Sequence, residues 1–109
     1  MTQFEDREKS FEEKFRLDEE LDFKVAARAA HLFSLWAAGQ MGMTGEEAEA
    51  YARQASEMIV AKSGRENLMR KTEKDLRARD IRISRHRLEK EMESFYQAAR
   101  EQIIKPKEK

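Results

Sequence analysis

The sequence predicts an all-α protein, a four-helix bundle with a mobile N-terminal arm, on three observations. Glycine (4) and proline (1) are scarce, so little interrupts helices across the 109 residues. Apolar residues recur at intervals of three and four through most of the chain, the spacing of one helix face. The first segment sets three phenylalanines in a dense background of charge, too little apolar surface to hold a short helix unaided. A chain of this length has room for one domain with a small core.

Taken in order, residues 1–17 form the expected arm, with Phe4, Phe11 and Phe15 spaced by seven and four on one helical face. Stepping the core repeat back from Leu21 and Leu17 reaches Lys14 and Ser10, which sets the arm's aromatics off the bundle stripe. The bundle proper, 18–105, begins with a helix over about 18–40 whose stripe holds Leu17, Leu21, Val25, Ala29, Leu32, Phe33 and Trp36, with Trp36 as a core anchor. Gly39 and Gly42 end it. Thr44 with Glu47 reads as a capping box opening a helix over 45–62, faced by Ala48, Tyr51, Ala52, Ala55, Met58 and Ile59. Ser63 with Glu66 repeats that spacing before a helix over 64–79 with a weaker stripe of Leu68, Met69, Thr72 and Leu76. Ser84 caps a last helix over 85–104, lined by Leu88, Met92, Phe95, Tyr96, Ala99 and Ile103. Pro106 ends it and leaves 106–109 as a disordered tail.

Composition excludes much chemistry. With no cysteine there is no disulfide framework, thiolate metal site or cysteine nucleophile. His31 and His86 stand alone, without the converging ligands a metal needs, so no metal or cofactor is expected. The carboxylates fall in exposed runs such as Asp18, Glu19 and Glu20, with no desolvated acid and base pair, so the chain is not expected to be an enzyme. No Gly-Lys-Ser/Thr follows Gly39, Gly42 and Gly45, so a phosphate loop is unsupported. The first 22 residues lack the apolar core of a signal peptide and no run is long enough to span a bilayer, so a cytoplasmic protein without membrane insertion is expected.

Charge is balanced overall but uneven along the chain. Residues 1–60 hold 13 acidic and 7 basic groups, so the first part is negative and the remainder equally positive. Within 70–87 eight basic groups (Arg70, Lys71, Lys74, Arg77, Arg79, Arg82, Arg85, Arg87) face three acidic ones. That stretch supports an alternative reading, a small helical nucleic-acid-binding or adaptor protein. Against it, no aromatic lies within the stretch to stack on bases, so specific nucleic-acid recognition is not expected. The acidic and basic halves are expected to fold against each other and largely neutralise.

The residues traced so far resemble a known family. Phe4-Glu5-Asp6-Arg7-Glu8, Phe11-Glu12-Glu13-Lys14-Phe15, Asp18, Glu20-Leu21, Phe23-Lys24 and Ala27-Arg28 look like the N-terminal signature of the alphaproteobacterial zeta subunit, inhibitor of the rotary ATP synthase. Leu35-Trp36-Ala37-Ala38, Met41-Gly42, Thr44-Gly45 and Ala48-Glu49-Ala50-Tyr51-Ala52 continue the similarity, which is dense over 4–52 and loose beyond; the arginine-rich stretch 77–87 departs from the family pattern. The resemblance implies a bundle whose N-terminal arm enters the catalytic head at an α/β interface beside the γ subunit and stalls ATP hydrolysis. It implies Phe4, Phe11 and Phe15 as apolar anchors, with Arg7, Glu8, Lys9, Glu12, Glu13, Lys14 and Arg16 as polar contacts. It also implies a protein peripheral to the inner membrane through the ATP synthase, and a monomer is expected when free.

Overall fold

In the computed structural model the backbone is described for residues 2–104 and the side chains for residues 19–103, so the expected tail 106–109 lies outside the described residues. Four helices follow one another: α1 (Thr2–Gln40), α2 (Gly45–Ile59), α3 (Gly64–Ala78) and α4 (Arg85–Ile104). Among the described residues all regular structure is helical. α4 has the expected limits, and α2 and α3 stop slightly early. α1 differs most, because its backbone helix begins at Thr2 rather than near residue 18. Nothing between Thr2 and Ala38 is glycine or proline, and a helix already nucleated in the bundle extends without a second nucleation step.

Two helix ends close in the same way. The Met43 amide donates to the Ala38 carbonyl at 2.9 Å and Gly42 to Gly39 at 3.1 Å, a Schellman turn in which Gly42 takes φ +81°. At the end of α3, Ile81 donates to Leu76 and Asp80 to Arg77, both at 2.9 Å, and Asp80 takes φ +58° where glycine is usual. The starts of the helices depart from expectation. Thr44 stands at the α2 cap position without a side-chain bond, and Ser63 lies in the left-handed region at φ +60°, so neither capping box forms. Ser84 does cap: its hydroxyl accepts from the Arg87 amide at 3.0 Å.

The core gathers one face from each helix. Val25, Ala29, Ala30 and Phe33 of α1 meet Ala55 of α2, Leu68, Met69 and Leu76 of α3, and Leu88, Met92 and Ala99 of α4. Alanines dominate on α1 and α2, which lets their backbones approach closely and gives that pair the most extensive packing; α4 covers the other flank of α1. The turn into α3 is tight as well, since a side chain at Gly64 would run into the Met58 and Ile59 backbone. Trp36 is only partly buried. It packs at the margin of the core, 6.0 Å from the Phe33 ring, with the Arg87 guanidinium 5.9 Å from its own ring. The core anchor is Phe33, fully buried, rather than Trp36.

Candidate partner interface

Side-chain contacts fix where the bundle stops covering α1. Ser56 Oγ on α2 donates to the Ala27 carbonyl at 3.3 Å, and His31 Nε2 lies 3.3 Å from the Glu49 carboxylate, so α2 runs antiparallel to α1. On the other flank Arg28 Nε donates to Gln102 Oε1 at 2.9 Å, near the end of α4. Both neighbours therefore run out at about residues 23–28 of α1. The long dimension of the molecule, 65 Å, reflects the helix that continues beyond them, since 39 residues at ~1.5 Å each make a rod of nearly that length.

The positions expected to bind a partner, Phe4, Arg7, Glu8, Lys9, Phe11, Glu12, Glu13, Lys14, Phe15 and Arg16, all fall on this backbone extension, and their side chains lie outside the described residues. Register still places them. An α-helix returns to the same angle after about eighteen residues, so positions 11 and 15 stand in line with the buried Ala29 and Phe33. Position 23 stands about two turns before the buried Ala30, yet Phe23 is 57 % exposed. Phe23 thus shares that arc with Ala30 but lies where α2 and α4 have run out.

The arginine-rich stretch is spent largely inside the protein. Arg85, at the first turn of α4, binds Glu66 at 2.6 Å and Glu73 at 2.9 Å across to α3, and Glu89 at 3.1 Å on its own helix. Its hydrogen bond is the main reason the Glu66 carboxyl lies below its ordinary range. Partial desolvation works against the Arg85 charge, but its bonds to Glu73, Glu66 and Glu89 outweigh that and raise its pKa. Arg70 pairs with Glu66, Lys71 with Asp75, Arg77 loosely with Glu73, and Arg87 with Glu91. Five of the eight basic groups are therefore matched by carboxylates of this chain, which leaves little of a continuous phosphate-binding track.

Lys71 and Asp75 also tie α3 to α2. The Tyr51 hydroxyl donates to Asp75 at 2.7 Å, Lys71 Nζ donates to the same oxygen at 2.8 Å, and that ammonium sits 4.2 Å from the Tyr51 ring centre. Burial, then the bond to Asp75, pushes the Tyr51 phenol well above its ordinary value. Burial pulls the Asp75 carboxyl upward, but the bonds from Lys71 and Tyr51 prevail and hold it below its usual range.

Beside the loop from α3 to α4 an open cleft of about 550 Å³ is lined by Arg77 and Arg82, Glu73 and Asp80, with Ile81 and Ile83 in its wall. Its charges are of both signs, which does not favour a polyanion. Among the described residues no group of three acidic, histidine or cysteine side chains could hold a metal, and no helix is long and apolar enough to cross a membrane.

The family model described as ATPase inhibitor subunit zeta matches residues 1–102, nearly the whole chain and both halves of α1. No curated protein and no solved structure matches.

Proposed function

Since the chain belongs to the ATPase inhibitor subunit zeta family, we propose that it inhibits ATP hydrolysis by the rotary ATP synthase through insertion of the arm, residues 1–17, into the catalytic head. The observation that carries this reading is that α1 runs on past the ends of α2 and α4. In this reading the arm is mobile in the free monomer and becomes fixed as a helix at an α/β interface beside the γ subunit. Phe4, Phe11 and Phe15 are its apolar anchors. Arg7, Glu8, Lys9, Glu12, Glu13, Lys14 and Arg16 set register and specificity by charge pairing.

The energetics support a tight but reversible complex. Burying three phenylalanines yields about 5 to 9 kcal/mol gross, and ordering the arm costs on the order of 2 to 5 kcal/mol. The protein contributes no chemistry of its own: it acts as a non-catalytic subunit, located in the cytoplasm and held at the inner membrane through the ATP synthase.

The test is hydrolysis by the cognate catalytic head titrated with the full chain and with a chain lacking residues 2–16. The full chain should inhibit and the truncated one should not, while both keep the same thermal midpoint. Equal inhibition by the truncated chain would refute the arm as the inhibitory element.

A further inference from the structure

Among the described residues two large apolar side chains are mostly exposed, Phe23 at 57 % and Val60 at 51 %. They are not scattered. The Ser56 hydrogen bond to the Ala27 carbonyl pins α2 to α1, and Phe23 and Val60 each stand one turn beyond that pin on the two antiparallel helices. Both therefore lie at the end of the bundle from which the arm extends. Val60 sits at the C-cap of α2, where the chain turns away toward α3. Isolated exposed apolar residues are ordinary; these two share one helix-pair end, and no other large apolar side chain among the described residues is as exposed.

We propose that Phe23 and Val60 form an apolar shoulder that seats against the rim of the partner's arm-binding groove. The inference rests on the arm reading above and adds a second contact, made by the folded bundle rather than by the arm. Its occupant follows from the continuity of α1. No glycine or proline breaks the helix between Phe15 and Phe23, so a partner that closes around position 15 stands about 12 Å along the axis from position 23. A groove wall that encloses the arm must meet the bundle end there, and the side chains presented to it are apolar. The rim should accordingly be an apolar patch on a protein surface.

The experiment measures both binding to the cognate catalytic head and inhibition of hydrolysis, for wild type, the chain lacking residues 2–16, Phe23→Ser with Val60→Ser, and Arg53→Ser as an exposed control elsewhere on α2. The double serine variant should need about tenfold more protein for half-inhibition. Its dissociation should be faster and its thermal midpoint that of wild type, because neither side chain is in the core; Arg53→Ser should match wild type throughout. If the double variant binds and inhibits as wild type while the truncated chain does not inhibit, the shoulder is overturned and the arm reading stands. If the truncated chain inhibits fully, the arm reading fails, and an unimpaired double variant then rejects the shoulder separately. Sedimentation completes the test: a wild-type dimer abolished by the double variant would assign the patch to a second copy and overturn the proposal. Failure of wild type to bind the head at all would overturn both.

Discussion

Residues 19–40 of α1 press Val25, Ala29 and Phe33 into the bundle, whereas residues 2–18 continue the same helix in the same register past the point where α2 and α4 end. The two regions differ in whether α2 and α4 reach them. A bundle whose neighbouring helices stop short leaves part of a core-facing arc for a partner to complete. Such an arc needs no separate binding motif, only a helix longer than the helices packed on it.

Phe33 and Phe23 give the largest contrast. Phe33 is fully buried, so Phe33→Ala should cost about 3 to 5 kcal/mol of stability. Phe23→Ala, ten residues earlier on the same helix, should change stability by less than about 0.5 kcal/mol, as surface substitutions do. Denaturant midpoints measure both. Equal costs would mean that cover on α1 extends farther than α2 and α4 allow. Trp36→Ala should fall below the Phe33 range, because its ring lies at the margin of the core.

Gly64→Ala comes next. The added methyl would meet the Met58 and Ile59 backbone, which cannot move aside as a flexible side chain would, so a loss of about 1 to 3 kcal/mol is expected. The turn that brings α3 onto the bundle would then be the part that yields. An unchanged midpoint would show that this turn relaxes freely.

Ser34 provides a smaller effect of opposite sign. Its hydroxyl is fully buried and has no hydrogen-bond partner among the described residues, so Ser34→Ala should raise stability by about 1 kcal/mol, the lower end of the cost of an unsatisfied buried group. A loss on substitution would indicate a partner for the hydroxyl.

Much of the bundle was legible in the sequence. The stripes of α3 and α4 are buried where the spacing placed them, at Leu68, Met69, Thr72 and Leu76, and at Leu88, Met92 and Ala99. The Ser84 cap is present as well. The capping box at Ser63 is not, because Glu66 binds Arg70 and Arg85, and the more distant of the two, Arg85, leaves no trace in local spacing. A step of four residues advances about 40° around a helix, so a stripe carried back from Phe33 in such steps has left the buried arc by position 21, about 120° away, and Leu21 is only partly buried. Nor does the spacing show where cover on α1 ends, since α2 and α4 set that limit from elsewhere in the chain.

The contacts of α3 with α2 and α4 add a pH dependence. The Asp75 and Glu66 carboxyls lie below their ordinary values in the folded protein, so their stabilisation is present above about pH 4 and is lost as pH falls through those depressed values. Tyr51 is shifted the other way. Its contribution is complete below pH 10, its ordinary value, and is lost as pH rises further, because the unfolded chain ionises there first. Thermal midpoints across this range should decline at both ends, and Tyr51→Phe should flatten the alkaline decline while lowering the midpoint slightly at neutral pH. An alkaline decline unchanged by Tyr51→Phe would assign it to other groups.

Amide hydrogen exchange on the full chain, free and bound to the cognate catalytic head, tests most directly whether a partner packs on the part of α1 beyond α2 and α4. Amides of residues 25–40 should be protected in both states. Those of residues 4–16 should exchange rapidly in the free protein and become protected in the complex, since without packing on that arc a helix opens readily. Strong protection of residues 4–16 in the free chain, or none in an inhibited complex, would contradict the account.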